Sequence, residues 1–187
     1  MLHSPTVRDP HKLSRKIAAA AHGDDSGAFP EAAFVVLREA GLTAHPPIGR
    51  SQMPELLQLL IAVGRGDLST GRIFEGHINA CWLISRFGTP QQQGELQQAL
   101  DEGGLLGVWN TDAPGAPLSR NGKMLEGKKN FASGVDGLSQ AIVTVTDEQG
   151  RHMLLVPLAG LPVDRSWWKP VGMKASGSHI VDFTGLV

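Results

Sequence analysis

The chain contains no tyrosine and only one cysteine, Cys81. The first absence excludes a tyrosyl acid or base. The second excludes an internal disulfide, as suits a reducing compartment. Cys81 lies in the apolar helical stretch Asn79-Ala80-Cys81-Trp82-Leu83-Ile84 and reads as a small buried hydrophobe rather than a reactive thiol. Neither charge is in excess: 17 Lys and Arg face 18 Asp and Glu, for a net charge of −1. That balance gives no footing for nucleic acid or for an anionic membrane surface. Long hydrophobic runs are missing too. The stretch Leu56 to Val63 is interrupted by Gln58 and is far too short to span a bilayer. The N-terminus lacks the apolar centre of a signal peptide. These absences point to a cytoplasmic protein with no nucleic-acid and no membrane partner.

The common chemical motifs are also absent. There is no phosphate-binding glycine loop, no dinucleotide fingerprint, no Cys/His metal spacing and no nucleophile elbow. No metal site and no catalytic residue is therefore assigned. The seven histidines are scattered, and only His77 falls inside a strong helical pattern. It reads either as a packed core histidine or as a substrate contact. Gly177-Ser178-His179 pairs serine with histidine only in letters, because neighbours on a strand point to opposite faces.

What is present is a chain of 187 residues with 23 Gly and 12 Pro, long enough for one compact domain or two small ones and rich in turns. Up to about Gly103 the period is helical. Lys12 to Ala21 is a short basic helix that breaks at His22-Gly23-Asp24-Asp25. A second begins near Pro30, places Ala33, Phe34, Leu37 and Ala40 on one face, and closes at Gly41. A third covers Met53 to Val63 and breaks at Gly64-Arg65-Gly66. Asp67 caps a long fourth helix to about Phe87, with Ile73, His77, Ala80, Cys81, Ile84 and Phe87 on one face. Thr89, Pro90 and Gln92 form a capping box for the fifth.

After Gly104 the period changes to that of strands. Leu105–Trp109, Lys123–Lys129, Ala141–Val145, His152–Pro157 and His179–Phe183 are β-like runs. Asn121-Gly122 marks a tight turn, and residues 142–145 and 153–156 read as one hairpin. The expected class is α+β: an all-helical N-terminal domain, residues 1–103, followed by a small antiparallel β-barrel or sandwich domain, residues 104–187. Polar groups gather at two strand ends, Trp109-Asn110-Thr111-Asp112 and Ser133-Gly134, where a β-scaffold presents ligands. Trp109 and Phe131 are candidates for an aromatic face beside a flat ligand.

Together these segments resemble the acyl-CoA dehydrogenase family over about residues 29 to 187. The resemblance rests on Leu37-Arg38-Glu39-Ala40-Gly41-Leu42, on Phe87-Gly88-Thr89-Pro90-Gln91-Gln92, and on Gly107-Val108-Trp109-Asn110-Thr111-Asp112. It continues through Gly127-Lys128-Lys129-Asn130-Phe131-Ala132-Ser133-Gly134 and Gly172-Met173-Lys174-Ala175-Ser176-Gly177-Ser178. It implies FAD as cofactor, contacted by Trp109, Asn110 and Thr111 largely through backbone, with Phe131, Ala132 and Ser133 against the ring. The Ser133 hydroxyl would sit near flavin N5. It implies His77 as a substrate contact, and an acyl-CoA or related small molecule as substrate.

The reaction so implied is α,β-dehydrogenation of an acyl thioester with hydride passing to the flavin, as in fatty acid metabolism. The family's C-terminal helical bundle, which supplies its base, has no counterpart in these residues. The full-length parent would be a homo-oligomer, a dimer or tetramer, with an electron-accepting flavoprotein as partner. Where the family has Gly-Ser-Asp, this chain has Ala116-Pro117-Leu118. That departure, with the run Gly172-Met173-Lys174-Ala175-Ser176-Gly177-Ser178, keeps a flavin-dependent monooxygenase of the same fold open; an inactive fragment acting as a binding module is a further alternative. Without a third partner, the stretch Leu56-Leu57, Leu59-Leu60-Ile61 and the Trp82 region are expected to leave apolar surface uncovered.

Overall fold

The computed structural model of the chain describes residues 9–21 and 26–187. Five helices come first: α1 (Pro10–Ala21), α2 (Glu31–Glu39), α3 (Met53–Gly66), α4 (Leu68–Phe87) and α5 (Pro90–Asp101). Their ends follow local capping chemistry. Asp67 accepts the Thr70 backbone N–H at 2.6 Å and the Thr70 hydroxyl at 2.7 Å, which starts α4. Thr89 and Gln92 form the reciprocal capping box of α5. Gly41 takes a left-handed φ of +70° just past α2. The break expected at His22–Asp25 lies outside the described residues.

Helix α3 ends at Gly66, the last residue of the expected break Gly64-Arg65-Gly66, and Asp67 leaves the helix with extended backbone. Gly66 also serves proximity: a Cβ at this position would lie 2.7 Å from Ile17 Cβ and 2.8 Å from the Ser14 carbonyl oxygen. The glycine lets α1 lie directly on α3. Ala40 and Phe87, the last residues of the faces expected on the second and fourth helices, are exposed.

Eight strands follow: β1 (Leu106–Trp109), β2 (Ser119–Asn121), β3 (Met124–Glu126), β4 (Lys128–Ala132), β5 (Gln140–Asp147), β6 (Gly150–Pro157), β7 (Val163–Asp164) and β8 (His179–Asp182). The β5–β6 hairpin pairs Val143 with Leu154, within the expected hairpin. The β2–β3 turn falls one residue later than Asn121-Gly122, with Gly122 and Lys123 as the two-residue loop between the paired Asn121 and Met124. The run Lys123–Lys129 is two strands, not one. Gly127 divides them with φ +111°, and a Cβ there would meet the Pro117 carbonyl oxygen at 2.2 Å.

The antiparallel barrel or sandwich is corrected in two respects. The strands form three small sheets, β1-β5-β6, β2-β3 and β4-β8-β7, and no closed barrel exists among the described residues. Strand β1 also pairs parallel to β5, matching Leu106 with Gln140 and Trp109 with Val143. The chain between them, residues 110–139, makes the crossover that a parallel pair requires.

Helices and strands share their cores. One apolar cluster runs from Leu13 and Ile17 of α1 through Phe34, Leu59 and Phe74 to Trp109, Val143 and Phe183. A second joins Ala80, Cys81 and Ile84 of α4 to Leu96, Leu100, Leu106 and Ile142. Each large apolar side chain buried there contributes about 1.5–3 kcal/mol. Helix α4 therefore serves as the platform on which β1 is laid. Of the residues expected to be uncovered, Leu56 and Leu59 are buried, while Leu57, Ile61 and Trp82 are exposed. Among the described residues, no helix is long and apolar enough to cross a membrane.

Since α4 carries both clusters, weakening its start should weaken the whole chain. Asp67→Ala is expected to lower stability by about 1 kcal/mol, the usual magnitude for losing an acidic N-cap, read as a lower urea midpoint. An unchanged midpoint would contradict the role given to the cap.

Candidate functional site

The two strand ends singled out in the sequence lie side by side. Asn130 donates its backbone N–H to the Thr111 carbonyl at 2.8 Å, and Ala113 donates to the Lys128 carbonyl at 3.0 Å. Trp109 Nε1 donates to the Ser133 carbonyl at 3.3 Å. The loop leaving β1 is thereby pinned against the end of β4.

Beneath this junction sits a residue the sequence reading passed over. Lys129 is 1% exposed. Its ammonium donates to Asp112 Oδ1 at 2.6 Å, to the Asn110 carbonyl at 3.2 Å and to Thr144 Oγ1 at 3.5 Å. One lysine so ties together the loop after β1, strand β4 and strand β5. A buried ammonium is tolerated only with such partners. The signal for it was the inverted polarity of β4, where Lys129 and Asn130 point inward and Phe131 points outward.

Phe131 is held in an uncommon state. Its φ is +54°, in the left-handed region that costs a non-glycine residue about 1–2 kcal/mol. Its backbone N–H is taken by its neighbour's Asn130 Oδ1 at 2.7 Å. The outcome is a ring that is 44% exposed, with the edges of Trp167 and Trp168 at centroid distances of 5.3 and 6.4 Å. Strain of this kind persists where surrounding structure over-determines it, and such positions cluster at ligand sites. Asn110 and Thr111 are exposed next door.

The other expected contacts are placed differently. Trp109 is 1% exposed, with its indole edge toward Phe183 at 6.4 Å, so its ring is a strut rather than a face for a ligand. Ala132 is fully buried. Neither side chain is presented at the surface. Ser133 is nearly buried, and its hydroxyl meets Ser178 Oγ at 2.8 Å. Ser178 and His179 are adjacent but engage different groups: Ser178 meets serines, while His179 Nε2 lies 3.6 Å from Asp136.

His77 does not reach a surface. It is fully buried, with Nδ1 accepting the Leu106 backbone N–H at 3.1 Å and Nε2 facing the Thr43 carbonyl at 2.9 Å. A backbone N–H can only donate and a carbonyl can only accept, so the ring is the neutral Nε2–H tautomer. Both nitrogens are satisfied, and none is left for a substrate. Burial pushes its pKa down to about 4, against a raising contribution from the Thr43 carbonyl. His77 pins α4 to the start of β1, which fits the packed-histidine reading. Cys81 beside it is 1% exposed, and burial pushes its thiol up to about 12. A thiol so placed is inert at neutral pH.

No protein-family model matches the sequence, and no curated protein shows significant similarity to it. Solved structures do match in shape. TdsC from Paenibacillus sp. A11-2, bound to FMN and indole, superposes with a TM-score of 0.74 at 21% identity, covering 94% of this chain and 50% of that one. The nitrososynthase from Micromonospora carbonacea var. africana gives 0.71 at 24% identity, covering 92% and 50%. XiaF from Streptomyces sp., bound to FADH2, gives 0.71 at 20% identity, covering 94% and 46%. The fold is one that flavin-bound enzymes share. It agrees with the acyl-CoA dehydrogenase-like fold that the sequence motifs resemble. The chain spans about half the length of these solved structures.

The Lys129 arrangement makes an asymmetric prediction. Asp112→Ala leaves an ammonium buried without its counter-charge and is expected to cost on the order of 3 kcal/mol. Lys129→Met removes the buried charge, while the half-exposed Asp112 carboxylate turns to water, and is expected to cost about 1 kcal/mol. Urea midpoints of the two variants test the order; equal losses would contradict it. For His77, the folded pKa lies below the ordinary value of 6.5. The unfolded chain therefore binds the extra proton first. Stability from the neutral ring is full above about pH 6.5 and falls by about 3 kcal/mol as pH drops through 4. NMR of the ring should show the Nε2–H tautomer persisting to about that pH; titration near 6.5 would contradict it.

Proposed function

We propose that this chain forms one wall of a flavin site in a flavin-dependent oxidoreductase. The observation that carries the proposal is the half-exposed Phe131 ring, held at positive φ beside the exposed loop Asn110-Thr111. The residues present fit the group. A flat tricyclic ring needs an aromatic neighbour, a run of backbone polar groups along its edge and a hydroxyl near its reactive centre. Phe131 supplies the first, the strand ends at Asn110-Thr111 and Ala132 the second, and Ser133 the third. FMN and FAD share that ring and are both candidates, and FAD is the one that the family resemblance implies.

When bound, the flavin would supply the redox chemistry, taking up or giving two electrons. The chain's own residues would bind and orient it. Phe131 would set the plane of the ring, and the clamp under Lys129 would fix the spacing between the two loops. Positioning of this kind provides much of an enzyme's rate. His77 takes no part in the substrate site under this reading, since both its ring nitrogens are engaged in the core.

Two reactions compete on this fold. Dehydrogenation of an acyl thioester is what the family motifs imply. Oxygen transfer to a small molecule is supported by two observations: Ala116-Pro117-Leu118 stands in place of Gly-Ser-Asp, and the matching structures include the dibenzothiophene monooxygenase TdsC and a nitrososynthase. We favour the second. A homo-oligomer follows from the resemblance under either reaction, whereas an electron-accepting flavoprotein belongs to the dehydrogenase reading alone.

Titrating the chain with FMN and with FAD, followed by flavin fluorescence, tests the proposal. Saturable binding is expected, weakened about fivefold in Phe131→Ala, as loss of about 1 kcal/mol of ring–ring contact requires. No saturable binding, or identical binding by the variant, would overturn it.

A further inference from the structure

The hydroxyl assigned to the flavin is not alone. Ser133 Oγ lies 2.8 Å from Ser178 Oγ, and Ser178 Oγ lies 3.1 Å from Ser176 Oγ. All three serines are buried, at 7%, 4% and 1% exposure respectively. The row is anchored where Gly134 donates its backbone N–H to the Ser176 carbonyl at 2.7 Å. Gly177, between Ser176 and Ser178 in the chain, takes a left-handed φ of +48°. That turn lets Ser176 and Ser178 aim their hydroxyls at each other, where extended neighbours two apart would lie side by side along a strand.

Counting hydrogens gives the row a direction. Three hydroxyls carry three hydrogens, and two are consumed in the two bonds of the row. The third lies at one end, or on Ser178 if that hydroxyl accepts from both neighbours; Ser178 is buried and, among the described residues, its hydroxyl meets only Ser133 and Ser176, which leaves the ends. At the Ser176 end the oxygen is buried, and among the described residues its only hydroxyl or carbonyl partner is Ser178. A hydrogen left there would be buried without an acceptor, which is costly. At the Ser133 end the hydrogen has an acceptor, the Phe131 carbonyl, through a long bond of 3.5 Å to an oxygen that already takes the Ser133 backbone N–H at 2.8 Å, so a ligand can compete for it. The third hydrogen therefore belongs at Ser133.

We infer that Ser176 and Ser178 are positioning residues that make Ser133 a hydrogen-bond donor to the ligand lying over Phe131. Ser176 donates to Ser178, Ser178 donates to Ser133, and Ser133 is left with its own hydrogen to offer. A lone serine would rotate and present either a hydrogen or a lone pair. Coupled hydroxyls polarise one another and hold one sense. The inference rests on the flavin reading, where the acceptor is an edge nitrogen of the oxidised ring.

Two measurements test it. In the ligand-free chain, Ser133→Ala, Ser178→Ala and the double variant form a double-mutant cycle on the urea midpoint. The double variant is expected to lose less than the sum of the single losses; strict additivity would overturn the row. In the second, FMN is titrated against the wild-type chain, Ser178→Ala and Ser178→Thr. Ser178→Ala is expected to weaken binding about fivefold and to shift the visible absorption band of bound FMN, as loss of one oriented donor requires. Ser178→Thr, which keeps the hydroxyl, should restore the band. A purely structural role for Ser178 would leave the band in place and would overturn the inference while leaving the flavin reading intact. Absence of FMN binding to the wild-type chain would overturn both. Should Ser178→Ala fail to fold, Ser176→Ala takes its place, with a smaller band shift expected and an unmoved band counting against the inference.

Discussion

A single buried ammonium governs how this molecule presents its surface. Lys129 sits under the point where the β1 loop, β4 and β5 meet, with Asp112, the Asn110 carbonyl and Thr144 around it. Coulomb attraction at 2.6 Å in a partly dry setting is strong enough to hold an exposed loop against a strand. Around it the backbone bonds Asn130 to Thr111 and Ala113 to Lys128. With that junction fixed, the next residue along β4 has little choice. Phe131 is forced outward and into positive φ, and its ring stands where a flat ligand can meet it.

The helices contribute by supplying rigidity. His77 and the two apolar clusters lock α4 to β1, so the strand that feeds the Asn110-Thr111 loop rests on a helix rather than on solvent. Sites built on such elements hold their geometry better than sites on free loops. The serine row then adds a chemical sense to the same place. Its hydroxyls are buried, and the backbone bond from Gly134 to Ser176 keeps the segment around Gly177 docked on the end of β4.

Much of this was readable from the letters, and the gaps have physical causes. The starts of α4 and α5 were legible because Asp67 and Thr89 act on backbone groups three residues away. The β5–β6 hairpin was legible because its pairing is local. The parallel partnership of β1 with β5 was not, since it joins residues more than thirty apart and no local pattern encodes it. Gly64-Arg65-Gly66 marked the end of α3, but the second task of Gly66, admitting α1 against α3, leaves no local signal. The two strand ends proposed for a ligand do lie side by side, and the Phe131 ring is exposed beside them. The burial of Trp109 was missed because its ring is turned inward by the Ser133 carbonyl. Lys129 was missed because a lysine is ordinarily a surface residue, and only the inverted pattern of β4 marks it.

The account's central claim is that the loops ending at Asp112 and Gly134 form the floor for a flat ring. A crystal structure of the chain grown with FMN tests this most directly. The ring should lie over Phe131, with its edge along Asn110-Thr111 and the Ser133 hydroxyl within hydrogen-bond distance. Flavin bound elsewhere on the chain, with Phe131 untouched, would contradict it.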